Sequence, residues 1–309
     1  MKQQLEAAGF EVDLQYANND VATQVSQIEN MLLGGAEVLV VASIDGGALD
    51  TVLGMAKEAG VPVIAYDRLL TGTANVDYYT TFDNYGVGQI QGQYIVDRFD
   101  LDNAEGPFTI EFTAGSPDDN NAGLFFAGAF DTLKPYIDAG KLVVVSGQTE
   151  FEVVATPAWK SETAQARMDN ILTAYYPEAL TGGQKLDICL CSNDSTALGV
   201  TNSLINFGFT AENMPVITGQ DCDVANTKNM IAGLQAMSVF KDTRTLAAQT
   251  VVMVTDILNG KVPETNATYA NGVMDVPAYN CTPVFADVNN YEALLIESGY
   301  YTVDQLAAE

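Results

Sequence analysis

Histidine is absent from this 309-residue chain, and that single absence removes Ser/His/Asp and Cys/His catalysis, histidine-bearing zinc sites and imidazole acid/base chemistry together. Basic residues are scarce as well: 13 Lys and Arg stand against 40 Asp and Glu, for a formal net charge of −27. Partners bound by neutralising phosphates, nucleic acid above all, and anionic lipid headgroups are therefore excluded. The four cysteines, at 189, 191, 222 and 281, follow neither C-x-x-C spacing nor the framework of a small disulfide-rich domain, so they are expected as buried thiols. Cys189 and Cys191 alternate within "KLDICLCSND" and should share one face of a strand, where they cannot bridge each other. No apolar run is long enough to cross a bilayer.

What the chain does have is apolar mass and rhythm. Apolar residues make up 48%, enough for two domains with cores of their own. Runs of strand length recur at 10–17 (FEVDLQYA), 36–43, 61–67, 107–115, 142–148, 186–193, 215–221 and 235–242, with helical patterns such as "DVATQVSQIENMLLGG" and "NAGLFFAGAFDTLKPYIDAG" between them. Several of these helices should end at a left-handed glycine, at Gly34, Gly60 and Gly140. Steady strand–helix alternation predicts α/β architecture, with two doubly wound parallel sheets covered by helices on both faces. Only the last third breaks the pattern, where "NATYANGVMDVPAYNCTPVFADV" reads as an extended return crossing. The opening "MKQQLEAAGF" reads as the end of a helix, and the expectation is of an upstream segment carrying a first strand of the amino-terminal lobe and any export signal.

Polar residues gather where predicted strands end, the place where ligands of doubly wound sheets bind. Asp67 and Arg68 follow "VPVIAY", Asp83 and Asn84 follow "DYYTTF", and "GSPDDNNAG" (115–123) follows "PFTIEF". Asn193 and Asp194 close "CSND", Gln220 and Asp221 close "TGQD", and Lys241 ends "QAMSVFK". Trp159, the only tryptophan, opens a helix after "LVVVSGQ". Any one of Asp67, Asn193 or Asp221 also suits a helix cap or turn. Caps do not require an Arg, a Lys and a Trp at the same sheet ends, so one shared site is expected. Carboxylates accept from hydroxyls, Arg and Lys donate, amides do both, and an aromatic ring covers a C–H face; together they suit a neutral polyhydroxylated ligand.

Rival chemistries fit less well. "DDNNAG" lacks the alternate oxygen ligands and the sixth-place glycine of a calcium loop. "GVGQIQG" (86–92) lies inside a helical pattern instead of opening one, and no GxxxxGK[ST] is present to cradle a phosphate. A glycosidase would need two carboxylates across a scissile bond, whereas the accompanying Arg and Lys favour holding a sugar over cleaving it. No cofactor, metal or enzymatic activity is expected.

The stretches "IAYDRLL", "GSPDDNNAGLFFAGA", "LKPYIDAGKLVVVSGQ", "SNDSTALG", "TGQDCD" and "SVFKDT" resemble, in this order and over essentially the whole chain, the periplasmic sugar-binding proteins of ABC transporters, in particular their xylose- and multiple-sugar-binding members. The resemblance implies a type I periplasmic-binding fold, two lobes joined by three crossings near 113, 243 and 282 and closing on a pyranose by hinge motion. The lobes would be 1–112 with 244–282, and 113–243 with 283–309. It further implies sugar contacts at Arg68, Asp83, Asp119, Asn121, Trp159, Asn193, Asp221 and Lys241. Asp118 and Asn120 are left to cap the turn and helix, and Gly115 and Pro117 to shape the bend. The implied function is extracytoplasmic capture of a monosaccharide, in the periplasm or on a lipid anchor, for an ABC transporter permease. A sensor kinase or chemoreceptor is a further partner of the same sugar-bound form. The sugar-binding core of a repressor shares the architecture, but no helix-turn-helix or basic face is visible.

Overall fold

A computed structural model describes residues 1–307. In chain order the described residues form α1 (Lys2–Ala7), α2 (Val21–Leu33), β1 (Leu39–Val41), α3 (Asp50–Glu58), β2 (Val63–Tyr66), β3 (Tyr78–Phe82), α4 (Asn84–Arg98), β4 (Phe108–Thr113) and α5 (Asn120–Asp138). They continue as β5 (Leu142–Val143), α6 (Phe151–Val154), α7 (Ser161–Tyr175), β6 (Ile188–Cys191), α8 (Asp194–Phe207), β7 (Val216–Ile217), α9 (Val224–Ile231), β8 (Met237–Phe240) and α10 (Thr243–Leu258). Strands β9 (Ala267–Ala270), β10 (Asp275–Cys281) and β11 (Val284–Asp287), a π-helical turn at Glu292–Glu297 and α11 (Val303–Leu306) complete the chain.

Two compact units result: residues 1–83, 119–121 and 242–282, and residues 84–118, 122–241 and 283–309. In the first unit the sheet runs β1-β2-β3-β10-β9, parallel except for the antiparallel edge strand β9. Alternation along β2 sorts its side chains to two faces. Val63 and Ala65 pack with Val52, Leu53 and Ala56 of α3 and Ile28 of α2, while Ile64 packs with Met253 and Val254 of α10 and Leu5 of α1. The second unit holds an all-parallel sheet, β5-β4-β6-β7, and the antiparallel pair β11-β8. Ile188 and Leu190 of β6 face a cluster with Ile95, Phe126 and Leu133. Cys189 and Cys191 face the other way, toward Met168, Leu172, Val200 and Leu204. All four thiols are buried and free, as their spacing predicted.

Several expectations are corrected. Residues 10–17 form no strand: their alternation is real, but among the described residues β1 is the sheet's edge and pairs only with β2. The stretch read as an extended return crossing does pass from one unit to the other, at Thr282–Pro283, but most of it forms the β9–β10 hairpin. Gly35 rather than Gly34 takes the left-handed conformation after α2, at φ 86° against −73°, while Gly60 and Gly140 adopt it as expected. Residues 84–112, expected in the first lobe, belong with the second unit. The reason lies in "GVGQIQG". A Cβ on Gly88 of α4 would stand 2.0 Å from the Phe125 carbonyl oxygen, and one on Gly128 of α5 would stand 2.1 Å from the Tyr85 carbonyl oxygen. The glycines let the two helices touch backbone to backbone, which fastens α4 to the unit that contains α5.

Candidate functional site

In the first unit the expected residues converge on a strained turn. Asp67 completes the β2–β3 ladder by donating its N–H to the Thr80 oxygen at 2.8 Å. It then enters the left-handed region (φ 65°), and the Arg68 N–H donates to the Tyr66 oxygen at 2.7 Å, a tight three-residue reversal rare outside functional sites. The conformation is held through one atom. The Asp67 carbonyl oxygen lies 2.8 Å from the Tyr79 hydroxyl and accepts from Thr81 Oγ1 at 3.1 Å and from Asn121 Nδ2 at 2.8 Å. Tyr79 is fully buried, with its hydroxyl also 3.0 Å from Asn121 Oδ1; burial pushes its phenol well above the ordinary value, so it stays a neutral donor.

Arg68, aimed by this turn, donates from Nη1 to the Ile44 oxygen at 3.1 Å and pairs through Nε with Asp119 Oδ2 at 3.1 Å. Asp119 is nearly buried, and its other oxygen accepts from the Asn121 N–H at 3.0 Å. Asp119 thus caps α5 itself, the task expected of Asp118 and Asn120; Asp118 instead accepts from Ser116 Oγ. Asp83 lies at the end of β3, where its N–H extends the ladder to the Cys281 oxygen (3.1 Å), and its side chain is exposed.

The second unit assembles the rest. Trp159 and the preceding Ala158 are both left-handed (φ 55°), costly for an indole-bearing residue. The loop is pinned from below, where the Thr156 N–H donates to the Gly115 oxygen at 2.9 Å and the Ala158 N–H to Ser116 Oγ at 2.7 Å. The half-buried indole lies directly on Gly115, where a Cβ would stand 1.8 Å from its ring, and its ring centre is 6.3 Å from that of Phe125. Gly115, expected to shape a bend, instead clears space for the tryptophan. Lys241 Nζ pairs with Asp221 Oδ1 at 3.1 Å and sits 5.2 Å from the centre of the Phe125 ring, a cation–π contact. Asn193 also caps a helix: its Oδ1 accepts from the Thr196 N–H at 3.0 Å, and Thr196 Oγ1 accepts in return from the Asn193 N–H at 3.3 Å.

The structure thus places Arg68, Asp83, Asp119 and Asn121 in one unit and Trp159, Asn193, Asp221 and Lys241 in the other. The two cations named as candidates each have a carboxylate partner, Asp119 and Asp221. Electrostatically the arrangement is a set of matched donors and acceptors, suited to exchanging one hydrogen bond for another with a neutral ligand. Tyr79 and Phe125 were missed in the sequence. Tyr79 is one of several alternating residues in a strand, while Phe125 stands four residues after Asn121, a helical spacing that does place it on the same face.

Comparison with known proteins identifies the family. A family model described as a periplasmic binding protein domain matches residues 1–262. The multiple sugar-binding periplasmic receptor ChvE of Rhizobium radiobacter is 50% identical over 307 residues, 98% of this chain and 85% of that protein. The D-xylose-binding periplasmic protein of Escherichia coli K12 is 37% identical over 301 residues, 97% of this chain and 84% of its own. Among solved structures, an ABC transporter solute-binding protein from Clostridium phytofermentans with bound β-D-glucose superposes with a TM-score of 0.93 at 57% identity, covering 99% of this chain and 93% of that one. With two α/β units, polar strand ends and relatives alike along nearly the whole chain, this protein belongs to the periplasmic binding protein family and has its type I fold.

Proposed function

We propose that this chain is an extracytoplasmic solute-binding protein that captures a monosaccharide of the glucose and xylose class for uptake by an ABC transporter. The observation that carries the reading is the pairing of Arg68 with Asp119 and of Lys241 with Asp221, beside an indole held clear of its own loop. Sugar hydroxyls both donate and accept, so they can join such pairs without leaving a charge unmatched, and Trp159 covers the C–H face. Arg68, Asp83, Asp119, Asn121, Asn193, Asp221 and Lys241 supply the polar contacts. The bound glucose of the Clostridium phytofermentans protein supports the ligand class, and the periplasmic relatives support a location outside the cytoplasm. The site holds its sugar unchanged.

Isothermal titration calorimetry with D-glucose, D-xylose, L-arabinose, D-galactose and D-ribose tests the reading. Saturable binding of one or several, with the sugar recovered intact, is the expected result; a folded protein that takes up none of them would overturn it. The Rhizobium radiobacter relative is a periplasmic receptor, which favours a second partner: the sugar-bound form also docks on a membrane sensor. Co-purification of that sensor with the protein only when sugar is present would support this role, and co-purification indifferent to sugar would count against it.

A further inference from the structure

The loop that carries Asp221 is unusual in its backbone and in what lies beneath it. Asp221 (φ 98°) and Cys222 (φ 54°) are both in the left-handed region, where a side chain is disfavoured. Three successive backbone donors hold them there. The Asp221 N–H donates to the Val239 oxygen at 2.8 Å, the Cys222 N–H to Ser238 Oγ at 3.1 Å, and the Asp223 N–H to Asp194 Oδ2 at 2.8 Å. Two of these three bonds depend on one carboxylate. Asp194 Oδ1 accepts from Ser238 Oγ at 2.9 Å and from Gln235 Nε2 at 3.0 Å.

By accepting from the Ser238 hydroxyl, Asp194 Oδ1 directs that proton toward itself and leaves the hydroxyl oxygen's lone pairs for the Cys222 N–H. Asp194 is completely buried at the first position of α8, where the helix amino terminus favours negative charge. Opposing this, burial and then the neighbouring Asp221 and Asp223 push its carboxyl upward; the facing groups are those two carboxylates, with Lys241 paired to Asp221. The approach is close by construction, since a Cβ on Gly219 would stand 2.1 Å from Asp194 Oδ1 and 2.4 Å from Gln235 Nε2.

We infer that Asp194 is a positioning residue for sugar recognition: by orienting Ser238 and holding the Asp223 amide it keeps Asp221 in its left-handed conformation, and so sets the reach of the Asp221–Lys241 pair toward the ligand. The inference rests on the sugar-binding reading above. Asp194→Asn tests it, because the amide has a single acceptor oxygen where the carboxylate has two, and at least one of Ser238 Oγ, Gln235 Nε2 and the Asp223 N–H must lose its partner.

The measurement is calorimetric affinity for D-glucose, or for whichever of the five sugars the wild-type chain binds, with Asp194→Asn, Asp221→Ala and the double variant. The single Asp194→Asn change is expected to weaken binding at least about tenfold, and to add nothing further in the Asp221→Ala background. If Asp194→Asn does not fold, Ser238→Ala takes its place in the same cycle with the same expectation. Wild-type affinity in the folded variant, with only its melting temperature lowered, would overturn the inference, as would a loss that persists undiminished without Asp221. A wild-type chain that binds no sugar would instead overturn the functional reading, and this inference with it.

Discussion

Gly115→Ala is the smallest change that should disable recognition while leaving the fold in place. An alanine Cβ at 115 would stand 1.8, 2.2 and 2.4 Å from the Cη2, Cζ3 and Cζ2 atoms of Trp159. Ordinary carbon contacts lie at about 3.5–4.0 Å, so the ring must retreat by about 1.5–2 Å. The backbone cannot yield easily, because Thr156 and Ala158 are bonded to Gly115 and Ser116 themselves. The indole must therefore swing out. Covering roughly 40 Å² of sugar C–H surface at about 25 cal/mol per Å² supplies about 1 kcal/mol, and ring contact geometry adds about 0.5–1.5 kcal/mol. A total near 2 kcal/mol is about a 30-fold rise in Kd. Calorimetry should show that rise, and the fluorescence of the only tryptophan should shift to longer wavelength before any sugar is added. Because Gly115 is proposed to act only through the ring, Gly115→Ala combined with Trp159→Ala should bind as Trp159→Ala does. Unaltered affinity and emission in Gly115→Ala, or a further loss in the double variant, would refute the reasoning.

Asp119→Ala should weaken sugar binding by about 1.5–3 kcal/mol and also lower the melting temperature, since it uncaps α5; Asp119→Asn should retain more of the stability than of the affinity, which paired calorimetry and thermal melts would resolve. Tyr79→Phe keeps the ring but removes the hydroxyl under Asp67 and Asn121, and should cost about 1 kcal/mol in urea denaturation. The four buried thiols should ignore Ellman's reagent at pH 8 in the native protein and react fully in denaturant. Burial pushes the Cys281 thiol from its ordinary 9.0 up to about 11, and a folded pKa above the unfolded one gives stability that is complete below the unfolded value and lost as pH rises through the folded one. Urea midpoints should accordingly fall between pH 9 and 11, and less so in Cys281→Ala.

Legibility in the sequence followed the range of the interactions concerned. Strands such as β2 and β6 are buried on both faces and announce themselves as apolar runs, and their polar ends could be read off in order. Pro277 concealed β10, because a proline argues against an interior strand. In the fold it pairs only with Thr268 of β9, and pairing with β3 begins one residue later, at Ala278. The alternation of residues 10–17 looked like a strand, because a pattern records preference and not the presence of a partner. At the site, Arg68 and Lys241 stood out as cations in an acidic chain, whereas the carbonyl of Asp67 left no trace, since a backbone atom has no letter. Nor could spacing decide which of four neighbouring Asp and Asn residues caps α5, a matter settled by the ion pair with Arg68 some fifty positions away.

Asn193 carries a consequence for how this protein can change over evolutionary time. Its oxygen starts α8 and, in the sugar-binding reading proposed above, also faces the ligand, so selection for a new sugar could not act on it freely. Substitution there is filtered first by folding, which favours Asp, Ser or Thr. Trp159 is not the cap residue of α7, which is Lys160, and on the same reading a change of sugar should be recorded at 159 before it is recorded at 193. The ancestry of the fold and the history of its ligand would then be written at different positions of one chain.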